Sequence, residues 1–237
     1  GEILGDTILF GAPVVFFSNG CAYISLCFDE SSGKVVIAFK DGSEGNKGKA
    51  VAGTVSGDTI LFGSPVLFDS ANTSYSSATY DPSVEKVVIA YCGAANAFGK
   101  AVVGSITGGT LSFGQPSTFN SGGADYVRSA YDPISESTII AYNDEYNGRA
   151  GTALGGKVAG NSMTFGAPVV FDNGKIDSPS VAYDHASTKM VIAYINTDSK
   201  KGRTVVCTVS GGAINFGAPV DFADIPTSTT LMVRSDP

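Results

Sequence analysis

Short apolar segments separated by turn residues run through the whole chain, and none shows the period of about 3.6 residues typical of an amphipathic helix. One stretch shows the pattern clearly, with segments at residues 74–81, 86–91, 99–106 and 110–119. The segments are rich in β-branched and aromatic residues, and Gly, Pro, Asn and Ser lie between them, so they predict strands joined by turns. The fold class predicted from this pattern is all-β.

Two markers repeat with the same period. The motif Phe-Gly-x-Pro occurs five times at spacings of 51 to 52 residues, starting at Phe10, Phe62, Phe113, Phe165 and Phe216. An Asp that ends an apolar segment recurs in step with it, at Asp29, Asp81, Asp132, Asp184 and Asp236. Two markers that share one period indicate a tandem array of structural units.

Each unit is predicted to hold four antiparallel strands, which we name A, B, C and D in chain order. Strand A carries small residues such as Ser25, Ser77 and Ser180, as expected for an innermost strand near an axis. Strand B is apolar on both faces and should lie inside the sheet. Strand D contains the Pro of each motif, and Pro lacks the N–H that an interior strand donates, so D should be outermost. An eight-residue link is expected to lead from each strand D to the next strand A.

Four-stranded units of this period predict a β-propeller, with a solenoid as the main alternative. We expect residues 1–237 to form a single propeller domain. The chain begins at the tail of a strand C and ends in a strand A, so five blades with the last incomplete are predicted. The other interpretation is a piece of a longer array. In either case flanking repeats, or self-association with another copy, could complete the unfinished blade.

Composition and charge exclude several function classes. The formal net charge is −7 and no Lys/Arg cluster is present, so no nucleic-acid partner is predicted. No apolar run approaches the roughly 18 residues needed to cross a bilayer, so no membrane insertion is expected. The chain has one His and four Cys, and no Cys recurs from unit to unit. We therefore predict free thiols, no metal site and no cofactor.

The candidate catalytic groups all have structural interpretations. The recurring Asp residues start turns, where an Asp side chain accepts hydrogen bonds from its own backbone. His185 occupies a turn position that holds Pro in other units, and it should be exposed. Asp144 and Glu145 are neighbours in a polar loop and are interpreted as solvated charges. Arginines that could clamp a carboxylate fall on different strand positions, at Arg128, Arg149, Arg203 and Arg234. On this basis the chain is predicted to have no enzymatic activity.

The repeat consensus reads Tyr-Asp-Pro-x-x-x-Lys-Val-Val-Ile-Ala-Tyr, then Gly-Lys-Ala-Val, then Phe-Gly-x-Pro-Val-x-Phe. It resembles β-propeller repeat arrays of tail-fibre or surface (lectin-like) proteins of aquatic phages and bacteria, over residues 10–237. The resemblance implies glycan binding, as in an adhesin, or a structural part of a particle. It also implies an extracellular, cell-surface or virion location.

A carbohydrate site is predicted on the face that carries the D-to-A and B-to-C loops. Tyrosines at the start of strand A could stack on sugar rings, and polar residues of the loops could bind hydroxyl groups. The predicted ligand-binding residues are Tyr23, Tyr75, Tyr126, Asp41, Asn96, Asp144, Asn147 and Asp198. The function predicted is a non-enzymatic recognition module with a glycan as partner. The alternatives are a structural scaffold without a small-molecule ligand, and tyrosines that wedge between blades as core.

Overall fold

The computed structural model describes residues 2–93, 97–210 and 213–224, and strands dominate these ranges. Among these residues one 3₁₀ turn, Glu145–Asn147, occurs, and no helix is long and apolar enough to span a membrane. The strands are β1 Glu2–Leu4, β2 Thr7–Leu9, β3 Cys21–Asp29, β4 Lys34–Asp41, β5 Lys47–Ser56, β6 Thr59–Phe62, β7 Val66–Asp81, β8 Lys86–Gly93, β9 Phe98–Thr107, β10 Thr110–Phe113, β11 Ser117–Asn120, β12 Ala124–Asp132, β13 Ser137–Asp144, β14 Ala150–Ala159, β15 Ser162–Phe165, β16 Val169–Asp184, β17 Lys189–Asn196, β18 Lys201–Ser210, β19 Ala213–Phe216 and β20 Val220–Asp224.

Four consecutive repeats each form a four-stranded antiparallel blade in which A pairs with B, B with C and C with D. Strands A, B and C are β3, β4 and β5 in blade I, and the end of β7, then β8 and β9 in blade II. They are β12, β13 and β14 in blade III, and the end of β16, then β17 and β18 in blade IV. Strand D pairs only with strand C, so the predicted inner-to-outer order is confirmed, as is the all-β propeller fold.

A separate strand pair, β1 with β2, precedes blade I. The backbone at Gly11, just after this pair, lies against the backbone of Asp58 in the C-to-D turn of blade I. Gly114 of blade II lies in the same way against Asn161 of blade III. The pair therefore takes the position of strands C and D of a further blade. The strand A predicted near Asp236 lies outside the described residues.

Strand D was predicted to be one strand followed by an eight-residue link, and the structure differs from this prediction. Four of the five Phe-Gly-x-Pro motifs, all but the one at Phe10, divide strand D into two short strands, because Pro and the adjoining Gly interrupt the hydrogen-bond ladder. The second part then runs directly into the next strand A as one 16-residue strand, β7 or β16, in two of the units. Only residues 121–123 separate β11 from β12. In these units no long D-to-A loop is available to form part of a binding face.

The A strands of successive blades lie side by side and are joined through serine hydroxyls. Ser25 Oγ accepts a hydrogen bond from the Ala78 amide at 3.0 Å, and Ser77 Oγ accepts one from the Ser129 amide at 2.9 Å. Side chains larger than serine would hold these strands apart. The small residues that indicated an innermost strand therefore also supply the contacts between blades.

The turns and thiols agree with their sequence-based interpretations. Asp29, Asp81, Asp132 and Asp184 each accept a hydrogen bond from a backbone amide two or three residues further on. Asp236 lies outside the described residues. His185 is exposed at its turn, with its ring 4.8 Å from that of Tyr183. All four cysteines are free, two of them buried.

In blades I to III an aromatic ring of strand D packs against strand C of its own blade and against strand B of the next blade. The ring of Phe171 in blade III lies 5.0 Å from that of Tyr194 in strand B of blade IV. A Cβ built on Gly151 of strand C would lie 2.7 Å from Cζ of Phe171, which is closer than real contacts allow. Gly48 and Gly99 stand against the corresponding rings of the earlier blades.

We expect Gly151→Ala to lower the free energy of unfolding by about 1–3 kcal/mol, because the added methyl group overpacks the core against Phe171. Gly20→Ala is the matched control, since a Cβ at Gly20 has open space around it. Denaturant unfolding of both variants and the parent measures the effect. Equal stability of the two variants would contradict this account of the packing.

Candidate active site

Each inner strand carries a β-bulge near its start. The backbone at the bulge adopts positive φ at Tyr23 (52°), Tyr75 (54°), Tyr126 (52°) and Ser178 (47°). Non-glycine residues rarely adopt this conformation, which costs about 1–2 kcal/mol per residue. Bulges turn side chains out of the regular alternation, and strained residues gather at functional sites. The bulges lie beside the ends of the B strands, as the pairing of Cys21 with Asp41 shows. We call this end of the propeller the loop face.

Three tyrosines on these bulges form one continuous row across adjacent blades. The ring of Tyr75 lies 4.8 Å from that of Tyr23 and 4.7 Å from that of Tyr126. Tyr23 remains 39% exposed, and the other two are half-buried. The ammonium group of Lys40 sits 5.1 Å from the centre of the Tyr23 ring. The tyrosines thus pack on one another between blades while part of the row stays open at the loop face.

Two carboxyl groups meet at the Tyr126 end of the row. Asp125 directly precedes the bulge, and Glu145 projects from the 3₁₀ turn of the B-to-C loop in blade III. The two side chains are joined by a hydrogen bond. Burial and then the charge of Asp125 raise the pKa of Glu145, while Arg149, with Nε 3.4 Å from Oε1 of Glu145, opposes the shift. On balance these surroundings favour the protonated form of Glu145.

A third carboxylate, Asp177, precedes the bulge of blade IV. It is hydrogen-bonded to Tyr126, and burial followed by the charge of Asp177 raises the pKa of that phenol. The thiol of Cys92 donates to Oδ1 of Asp125 at 3.8 Å. Burial and the charge of Asp125 raise the pKa of Cys92 to about 12, so it stays a thiol rather than a nucleophilic thiolate. Among the described residues, no group of three or more His, Cys, Asp or Glu side chains could hold a metal ion.

Asp41 is not free to bind a ligand in the predicted way. Its carboxylate is buried and accepts from Nζ of Lys49 at 2.7 Å and from Oγ of Ser43 at 2.6 Å. The hydrogen bonds from Lys49 and Ser43 lower the pKa of Asp41 to about 2. The group therefore supports the B-to-C loop of blade I.

The other predicted loop residues are spread over the loop face. Asp144 is half-buried just before the 3₁₀ turn, and Asn147 is exposed on it, close to the carboxyl pair. Asp198 is exposed in blade IV and accepts from the Lys175 amide at 2.9 Å. Asn96 lies outside the described residues. Only Asp144 and Asn147 thus share a loop with Glu145.

Sequence reasoning did not single out Asp125 or Asp177, and it interpreted Glu145 as merely solvated. That interpretation is corrected by the contact of Glu145 with Asp125. A usable signal was present in the repeat. An Asp stands directly before the bulge in blades III and IV, where blades I and II have Ala22 and Ser74.

The architecture is shared with carbohydrate-active enzymes. The exo-β-1,3-galactanase of Clostridium thermocellum superimposes with a TM-score of 0.57 at 8% identity, over 84% of this chain and 48% of that one. The exo-β-1,3-galactanase of Phanerochaete chrysosporium, with β-1,3-galactotriose, gives 0.51 at 7%, over 84% and 49%. A GH43 β-1,3-galactosidase with galactodeoxynojirimycin gives 0.52 at 10%, over 86% and 76%.

The chain spans about half the length of the two galactanase structures. No protein-family model and no curated protein matches it. The comparison therefore supports the propeller part of the sequence resemblance, and nothing in it supports phage tail-fibre or lectin repeats. At these identities the likeness establishes the fold, and function has to be argued from the site.

The sequence-based prediction of a non-enzymatic recognition module, with a scaffold as its alternative, is wrong, and so is the prediction of no enzymatic activity. Glycoside hydrolases are among the solved structures that share this fold. The inference failed physically because it weighed carboxylates by their separation in sequence. A bulge on strand A and a turn after strand B bring Asp125 and Glu145 together although 20 positions separate them.

We expect Asp125→Asn to lower the pKa of Glu145 towards its ordinary value, because the substitution removes the neighbouring negative charge. The parent Glu145 binds its proton more tightly in the folded than in the unfolded state. Its contribution to stability is therefore greatest at acidic pH and is lost as pH rises through the folded pKa. Carboxyl-carbon NMR titration measures the pKa, with Asp58→Asn as the control. An unchanged Glu145 titration would contradict the pairing.

Proposed function

We propose that the protein is a carbohydrate-active enzyme that hydrolyses glycosidic bonds at the loop face, beside the tyrosine row. The observation that carries this proposal is the Glu145–Asp125 contact, since burial and a neighbouring carboxylate make Glu145 hold its proton more tightly than a free carboxyl group, as a general acid must. The fold shared with glycoside hydrolases supports the same proposal.

Each group has a role in the proposed reaction. Glu145 donates its proton to the glycosidic oxygen as the bond to the leaving sugar breaks. A water oxygen bonds to the anomeric carbon, and Asp177 accepts the proton that this water releases. Asp125 does not touch the reacting atoms and is a positioning residue that holds the proton on Glu145.

Aromatic surfaces next to the acid would hold the sugar. The tyrosine row offers rings against which the C–H faces of a sugar can pack. Tyr146 follows Glu145 directly, is 76% exposed and lies against the backbone of Gly122. It provides a second exposed ring next to the acid. The names of the structures with this fold make β-1,3-linked galactans the first substrates to test.

Glu145→Gln should reduce the hydrolysis of β-1,3-galactan by about 10²–10⁴-fold, the range that general acids contribute. The substitution keeps the size of the side chain and removes the proton that must be donated. Reducing-end release from a panel of galactans, at several pH values, measures the loss. The alkaline limb of the parent profile should follow the ionisation of Glu145.

Glu136→Gln is the matched control, because Glu136 lies in the A-to-B turn at the opposite end of the blade. It should hydrolyse the same substrates at the parent rate. Equal activity of the Glu145→Gln protein and the parent would contradict the role of Glu145. A parent protein that hydrolyses no glycan of the panel would contradict the proposed function as a whole.

The proposed location of the protein rests on the sequence resemblance alone. We propose an extracellular, cell-surface or virion location, as for the tail-fibre and surface arrays with similar repeats. A hydrolase displayed there would meet polysaccharide substrates directly. Detection of the native protein in purified particles or on intact cells tests this, and its confinement to the cytosol would contradict it.

A further inference from the structure

The inner strands of the four described blades line a half-open cavity of about 780 Å³. Tyr23 and Tyr75 line it towards the loop face, and Tyr131, Tyr183 and His185 line it towards the other end. Its volume lies within the range of about 300–1,000 Å³ found for small-molecule sites. The rings and hydroxyls of its wall could contact both faces and edges of a sugar.

One residue of the wall departs from the repeat. The position that pairs with the alanine of strand B is Ser25 in blade I, Ser77 in blade II and Ser180 in blade IV. Blade III has Arg128 there, paired with Ala141. Because serine meets the structural need in the other blades, the fold does not require an arginine at this point.

The charge of Arg128 is left without a counter-ion. Within residues 2–93, 97–210 and 213–224 its guanidinium donates to the carbonyl of Val127, from Nη1 at 2.8 Å, and it forms no ion pair with a carboxylate. Arg149 and Arg203, by contrast, each have acidic partners. Burial lowers the pKa of Arg128, which reflects the cost of keeping a cation in this cavity. An entering anion would offset that cost.

We propose that this cavity binds the carboxylate of a uronic acid sugar, with Arg128 as its anchor. A guanidinium binds a carboxylate through two parallel hydrogen bonds, and the tyrosine rings beside it suit the apolar face of a pyranose. The site is distinct from the Glu145–Asp125 pair and does not depend on the proposed hydrolysis. If this site binds uronates, sugar acids are ligands of the protein whether or not the protein cleaves them.

Calorimetric titration of the full chain with D-glucuronate and D-galacturonate tests the proposal, with D-glucose and D-galactose as neutral counterparts. At least one uronate should bind tenfold or more tightly than its neutral sugar. Arg128→Gln should abolish this preference, whereas Arg128→Lys should keep part of it because the positive charge remains. Lys157→Gln, an exposed strand C residue, is the control for net charge.

Equal binding of uronate and neutral sugar would overturn the proposal. A preference for uronate that survives Arg128→Gln would also overturn it. Inorganic phosphate or sulfate that binds as tightly as the uronates would show a site for simple anions instead. Circular dichroism of each variant checks the fold, and uronate-dependent protection of the Arg128→Lys protein against thermal unfolding gives a second readout if Arg128→Gln fails to fold.

Discussion

The close approach of the inner strands around the axis is the constraint on which the rest of this structure depends. Hydroxyls of Ser25 and Ser77 bond directly to the backbone of the next blade, so the middle of the inner strand admits only small side chains at these two contacts. The larger tyrosines are found at the strand starts, where bulges turn them onto one another. The small side chains at the centre and the tyrosines at the loop face therefore both follow from the close approach of the inner strands.

The departures from the repeat are as informative as the repeat itself. In an array of near-identical units, successive blades meet the same structural need with the same contact. The Phe–Gly contacts between strands D and C are an example. Asp125, Asp177 and Arg128 break that uniformity at positions where other blades use Ala or Ser. All three lie on strand A near the axis. Glu145 adds a charge from a loop whose sequence differs from blade to blade.

The fold was largely predictable from the sequence because it rests on local rules that repeat. The Phe-Gly-x-Pro motif set the period, and its Pro placed strand D at the edge. The division of strand D and its direct continuation into β7 and β16 were not predictable, because they depend on where the next blade sits. Three of the eight predicted ligand residues, Tyr23, Tyr75 and Tyr126, form one row at the loop face, and their binding of a ligand stays a prediction.

The Asp before the bulge in blades III and IV was a sign of the carboxyl site in the sequence, and the rest of the site was out of reach of sequence reasoning for a different reason. The pKa of Glu145 depends on burial and on Asp125, which belongs to another strand, and neither can be seen in a polar loop read by itself. Positive φ at three tyrosines is equally invisible, since tyrosine does not favour that conformation. Only the tertiary structure shows that strain, aromatic surface and a carboxyl group with a raised pKa occur at one place.

A crystal structure of the Glu145→Gln protein with a β-1,3-linked galacto-oligosaccharide tests the central claim most directly. The account predicts sugar rings packed on the tyrosine row and a glycosidic oxygen within about 3 Å of the substituted side chain at position 145. An oligosaccharide bound only at the outer strands, or one whose glycosidic oxygens all lie away from position 145, would contradict it.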